Sequence, residues 1–115
     1  IIAYSSCIAH GIDMTASLQD QKAAVMTGYW PLFRYNPQLE KEGKNPFVLD
    51  SSAPQIPFKE YTYRQNRFKI LTKTDPQRAK ELEELSQQDI YERWKIYEKM
   101  ASAPTPPDPP KQGQT

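Results

Sequence analysis

Cys7 and His10 are the residues of this 115-residue chain whose types best suit metal or nucleophilic chemistry, and the sequence holds one of each type. Cys7 lies near the end of an apolar, partly β-branched run from Ile1 to Ile8, where a fold can hold a thiolate rigidly against a buried site. The bland role is packing, the commoner fate of a free cysteine, which is among the most buried residue types. An iron–sulfur cluster normally draws on four thiolates, so a single cysteine completes none. His10 follows at Cys-x-x-His spacing, two ligands short of a structural zinc site, which favours a solvated or supporting role for it.

Other constellations carry less. Glu81, Glu83, Glu84, Asp89 and Glu92 mingle with Lys80, Arg93, Lys95 and Lys99, the ordinary look of a solvated helix face. Tyr29, Trp30, Phe33 and Tyr35 would make a stacking platform, but without a basic surround a packing role is the expectation. Trp94 and Tyr97 read as docking a helix onto a neighbouring surface, and Pro104-Thr105-Pro106-Pro107 has the form of a polyproline ligand or a plain linker. No glycine-rich phosphate cradle, Gly-x-Ser-x-Gly elbow or Cys-x-x-Cys pair occurs.

The elements that must position these residues begin with a predicted buried strand over Ile1 to Ile8. Ser17 stands as a cap ahead of a helix from about Leu18 to Thr27, which Gly28 should stop. Tyr29 to Tyr35 reads as extended and ends at Asn36-Pro37, and with Pro46 to Asp50 it suggests an irregular hairpin. Phe58, Tyr61, Phe68 and Leu71 have the spacing of one amphipathic helix ending near Thr74. Asp75-Pro76 then starts the longest helix, with an apolar stripe of Ala79, Leu82, Leu85, Ile90, Trp94, Tyr97 and Met100. Residues 102–115, with five prolines between Pro104 and Pro110, have a composition that builds no core and are expected to be disordered.

Composition sets the scale of that fold. With Gly counted in and Tyr out, roughly 35% of the chain is apolar, against roughly 45–50% for an average domain, so the core is thin. Fifteen Lys+Arg against fourteen Asp+Glu leave +1, which removes the field of a nucleic-acid or anionic-membrane binder. No apolar run approaches a membrane span, and no basic segment precedes an apolar one at the start, so the chain reads as soluble, and its lone cysteine suggests a reducing compartment or a thiol whose partners lie elsewhere. By length it is at most one domain, and opening on an apolar run it reads as a piece whose sheet lies elsewhere.

As strings, Ala3-Tyr4-Ser5-Ser6-Cys7-Ile8-Ala9-His10-Gly11-Ile12, Gln21 to Val25, Gly28-Tyr29-Trp30-Pro31-Leu32-Phe33-Arg34-Tyr35-Asn36-Pro37 and Gly43-Lys44-Asn45-Pro46-Phe47-Val48-Leu49-Asp50-Ser51 resemble the C-terminal part of the pyruvate:ferredoxin (flavodoxin) oxidoreductases. The likeness runs more loosely through Arg67-Phe68, Pro76, Ala79, Leu82, Trp94 and Tyr97, and covers residues 1–101. Phe33 departs from the tyrosine expected there.

The resemblance implies an α/β thiamine-diphosphate-binding parent domain, of which residues 1–101 form the mostly helical end and 102–115 a proline-rich tail. It implies conversion of pyruvate and coenzyme A to acetyl-CoA and carbon dioxide with thiamine diphosphate and Mg2+. Electrons would pass through [4Fe-4S] clusters to ferredoxin or flavodoxin, in a cytoplasmic homodimer. It makes Cys7 a ligand of the cluster nearest the thiamine, joined by three cysteines from the rest of the polypeptide; by their adjacency to Cys7, His10 and the backbone amides near Ala9 to Gly11 are then expected to hydrogen-bond the cluster sulfurs. The Gly-Asp-Gly start of a thiamine site is absent from this chain, so no catalysis is expected of it alone. The helical stretch Phe58 to Ala101 would wrap the domain and the dimer contact. The rival expectation is a free-standing helical interaction module that recruits partners through Trp94 and its proline-rich tail.

Overall fold

The structure is a computed structural model that describes residues 1–5 and 13–103. Asp13 opens the second stretch, accepting from the Thr15 amide at 3.0 Å and so capping a 3-10 turn, Met14–Ala16, that runs directly into helix α1, Ser17–Met26. The cap therefore belongs to Asp13, whereas Ser17 was expected to hold it. Ser17 is already the first residue of α1, behind Ala16, which makes no side-chain cap bond.

Gly28 ends the helix in the left-handed region at φ 79°, its amide bonded to the Val25 carbonyl at 3.0 Å. Thr27 is fully buried and returns its hydroxyl to the Ala23 carbonyl at 2.8 Å, leaving no unmet polar group there. Strand β1, Phe33–Tyr35, pairs antiparallel with β2, Phe47–Leu49, in the register Phe33 to Leu49, Arg34 to Val48 and Tyr35 to Phe47. Their connection carries a short helix α2, Pro37–Lys41, started by Asn36, which accepts from the Gln38 amide at 3.1 Å. The irregular hairpin read from the sequence is thus present, with a helical turn in its loop.

Helices α3, Phe58–Thr62, and α4, Asn66–Thr74, stand where one continuous helix was expected. The two halves are seated differently: α3 lies between α1 and α5, Pro76–Ser102, whereas α4 packs on α5. Gln65 takes an extended conformation (φ −93°, ψ 121°) that turns the chain between them. Phe58 and Phe68 share a helical period in sequence but belong to two faces. The start of α5 follows the expectation, with Asp75 accepting from the Arg78 amide at 3.0 Å and proline in the first turn.

At 27 residues α5 is about 40 Å long, the spine of the molecule. Ala79, Ile90 and Trp94 of its stripe are buried, while Leu85 and Met100 are exposed, so the continuous stripe expected from sequence is covered only in part.

The expected N-terminal strand is not formed over residues 1–5, and Ile1 and Ile2 are exposed. A strand exists by pairing, and the sheet among the described residues has two strands, β1 and β2, already paired to each other. The core that does form joins Ala23 and Ala24 of α1, Phe58 and Tyr61 of α3 and Ile90 of α5, with Tyr4 and Trp30 against it. The molecule is elongated, 71 × 29 × 24 Å, with a radius of gyration of 19.3 Å where a compact chain of this length would have about 13 Å.

Candidate functional site

Cys7 and His10 fall in residues 6–12, and the proline-rich tail in 104–115, both outside the described residues. What is described is the mount on either side of residues 6–12. On one side stands Tyr4. Alanines 23 and 24 give α1 a face small enough for the Phe58 and Tyr61 rings of α3 to seat against it. Tyr29 stacks on both rings, at 5.4 Å from Phe58 and 5.1 Å from Tyr61. Tyr4 closes this box, tilted on Trp30 at 5.5 Å and edge-on to Tyr29 at 6.4 Å, and its hydroxyl hydrogen-bonds the hydroxyl of Tyr61. On the other side stands Asp13, whose carboxylate takes both the amide and the hydroxyl of Thr15, at 3.0 and 2.7 Å, and is held below its ordinary pKa by these bonds. Both ends of the segment are therefore fixed to the body built on α1 and α3.

Burial, and then the bond to Tyr4, push the Tyr61 phenol well above its ordinary pKa of 10.0. Above about pH 10 the unfolded chain releases this proton while the folded one keeps it, so the stability tied to Tyr61 is intact below pH 10 and declines as the pH rises beyond it. Unfolding midpoints across pH 9 to 11.5, roughly spanning the phenol range, should fall more steeply for the native sequence than for Tyr61→Phe.

Beside the box, the buried Asp20 of α1 faces the Arg64 guanidinium at 3.6 Å, which ties the α3–α4 turn to α1. Arg93 of α5 donates to the Tyr29 carbonyl at 2.7 Å, just past the turn at Gly28. The four aromatics read as one platform divide: Tyr29 and Trp30 join the Tyr4 box. Phe33 stacks on Phe47 at 5.3 Å and on Tyr97 at 5.2 Å, and Tyr35 is exposed. Tyr97 thus docks α5 on the hairpin as expected. Trp94 is only 8% exposed, which removes it as a lure for a free partner.

Asn45 shares its amide protons among the carbonyls of Met100, Ala101 and Ala103, at 2.9, 3.0 and 3.2 Å, and so fastens the end of α5 to the hairpin. In the sequence Tyr61 reads only as an apolar position of a helix, and no part is assigned to Tyr4 or Asn45 individually, although these two stand inside the strings that carry the resemblance.

Among the described residues no group of three or more His, Cys, Asp and Glu is placed to hold a metal ion, and no helix is long and apolar enough to cross a membrane. The acids of α5 meet ordinary surface partners, as Glu81 meets Arg78 at 3.4 Å. Among the described residues fourteen large hydrophobic side chains, Leu18, Leu32, Tyr91 and Ile96 among them, are exposed against eight buried hydrophobic residues. The aromatic box is built to hold a segment, and it carries no acid–base pair of its own.

No protein-family model matches the chain. Curated relatives do, and they are oxidoreductases. The chain is 53% identical over 102 residues to the pyruvate-flavodoxin oxidoreductase of Trichormus variabilis, a match of 89% of this chain and 9% of that protein. It is 46% identical over 101 residues to the pyruvate:ferredoxin oxidoreductase of Moorella thermoacetica, covering 88% of this chain and 9% of the relative. A third relative is the mitochondrial pyruvate dehydrogenase [NADP(+)] of Euglena gracilis, 42% identical over 106 residues, or 90% of this chain and 6% of that protein. The chain thus matches a segment of pyruvate-flavodoxin and pyruvate:ferredoxin oxidoreductases, spanning less than a tenth of the length of these relatives.

Proposed function

We propose that this chain is the C-terminal part of the thiamine-diphosphate domain of a pyruvate-flavodoxin or pyruvate:ferredoxin oxidoreductase, where it supplies Cys7 as one ligand of a [4Fe-4S] cluster and wraps the domain with its helices. The observation that carries this reading is 53% identity over 102 residues to one such enzyme. The physical picture supports it: so much exposed apolar surface on an elongated body suits a segment that finishes its burial against a larger host. The sequence supplies one thiolate of the four a cluster needs, which fits a shared ligand set completed from the rest of the polypeptide.

Bound in the parent enzyme, such a cluster accepts and passes on single electrons. Pyruvate and coenzyme A are the substrates in this reading, and ferredoxin or flavodoxin the electron acceptor. Thiamine diphosphate and Mg2+ are held outside this chain, in a cytoplasmic homodimer. The part played by these residues is mechanical and electrostatic: Cys7 donates the thiolate, and His10, three residues on in the sequence, hydrogen-bonds the cluster sulfurs.

The test is Cys7→Ser in the full-length enzyme. Iron and acid-labile sulfide should fall by one cluster per chain, and the reduced enzyme should lose one cluster's paramagnetic signal. Unchanged iron content with undiminished reduction of ferredoxin would refute the ligand assignment.

A further inference from the structure

We propose that the outer face of α4 is a docking surface for the acidic face of an electron-carrier protein; this rests on reading the chain as part of an oxidoreductase that hands electrons to flavodoxin or ferredoxin. The net charge of +1 conceals a division along the chain. Residues 59–80 carry seven Lys and Arg against two acids, Glu60 and Asp75, whereas residues 81–92 carry five acids and no base. Within α4 itself Arg67, Lys69 and Lys73 stand without a single Asp or Glu.

The fold displays these cations together. At about 3.6 residues per turn, the half-buried Phe68, Leu71 and Thr72 share one side of α4, and Arg67, Lys69, Ile70 and Lys73 are exposed on the other. Ile70 is thus an apolar centre with Lys69 and Lys73 on one flank and Arg67 on the other. The ion pairs of the described residues include neither Lys69 nor Lys73. Helix stability does not account for the charge. Arg67 lies in the first turn, where a cation opposes the helix dipole, that turn holds no acid, and Gln65 makes no side-chain cap. Only Lys73, in the last turn, stands where the dipole favours it.

Composition decides the kind of partner. Permanent interfaces are apolar and depleted in lysine, whereas charges around a small apolar centre speed brief encounters with an oppositely charged protein. With no buried residue, three cations and one exposed isoleucine, α4 is of the second kind. The positive field is also bounded: a nine-residue helix is about 14 Å long, and the acids of α5 begin at Glu81. A nucleic-acid duplex or an anionic bilayer would extend over those acids and be repelled. A carrier protein with a small acidic face fits within the patch.

The test follows flavodoxin reduction by the full-length enzyme, with pyruvate and coenzyme A, against flavodoxin concentration and salt. Lys69→Glu with Lys73→Glu should raise the KM for flavodoxin about tenfold at low salt and leave kcat near native. The gap should close towards 1 M salt, where screening acts within about 3 Å. Lys69→Gln with Lys73→Gln should give a smaller rise in the same sense. Lys41→Glu with Lys99→Glu, an equal change of charge on exposed residues at the hairpin end, should keep the native KM. All variants should reduce a viologen dye, which needs no docking surface, at the native rate. An unchanged flavodoxin KM in the α4 variants would overturn the docking surface and leave the functional reading standing. Lost iron or an altered oligomeric state in them would also overturn it, marking the face as packed inside the enzyme. So would binding of the native enzyme to phosphatidylserine vesicles that the α4 variants lose. If the native enzyme reduces neither flavodoxin nor the dye with pyruvate, the functional reading itself fails, and the docking surface with it.

Discussion

Gly28→Ala is expected to destabilise the junction of α1, the hairpin and α5 by about 2–5 kcal/mol, the sum of a left-handed backbone penalty and an overpacking strain. Gly28 sits at φ 79°, and a Cβ built there would lie 2.6 Å from Cγ of Pro54 and 3.2 Å from Cγ2 of Ile90. Neither neighbour yields easily, since one is a proline ring and the other a side chain in the core cluster. Gly43 is an internal control. Its φ of 73° is nearly the same, yet nothing lies within 4 Å of its would-be Cβ, so Gly43→Ala should cost only the backbone part, about 1–2 kcal/mol. Hydrogen exchange in the full-length protein reads both: peptides covering residues 17–30 and 88–97 should lose protection by roughly 30-fold or more for Gly28→Ala. Equal losses for the two substitutions would show that close approach at Gly28 has no energetic weight.

The second large effect is expected at Trp94. Ile90, one turn earlier on α5, touches the α1–α3 core, and Tyr97, one turn later, stacks on Phe33 and Phe47 of the hairpin, so the buried Trp94 lies between the two clusters on one helix face. Trp94→Ala should therefore open a cavity and cost about 3–5 kcal/mol, while Ile96→Ala, on the exposed face, should stay within about 0.5 kcal/mol of native. The loss should appear in both clusters together. Reduced exchange protection in the hairpin alone would mean that Trp94 supports only the Tyr97 stack.

Much of this arrangement is legible in the chain because local chemistry dictates it. Asp75-Pro76 carries its own helix start, Gly28 its own stop, and the apolar runs around Phe33 and Phe47 are short enough to pair as strands. What the sequence hid depends on partners. The 58–74 stretch has one unbroken helical period, and only the different seats of α3, between α1 and α5, and of α4, on α5, show why it turns at Gln65. An apolar run such as Ile1-Ile2-Ala3-Tyr4 has the composition of a buried strand, but a strand also needs a neighbouring edge. Of the candidate site, the string around Cys7 was legible through its resemblance. Its mount was not, because Tyr4 and Tyr61 stand 57 residues apart and their pairing is a product of the fold.

The nine residues of α4 include none that is buried, and Ile70 is 61% exposed. Isolated helices shorter than about 12–15 residues are marginal in water, so the helicity of α4 is conditional on its packing against α5. Its amides should exchange faster than those of α1, which carries three buried residues. Residues 66–74 are in that sense a reporter written into the chain, one whose protection registers whether the contact with α5 is intact.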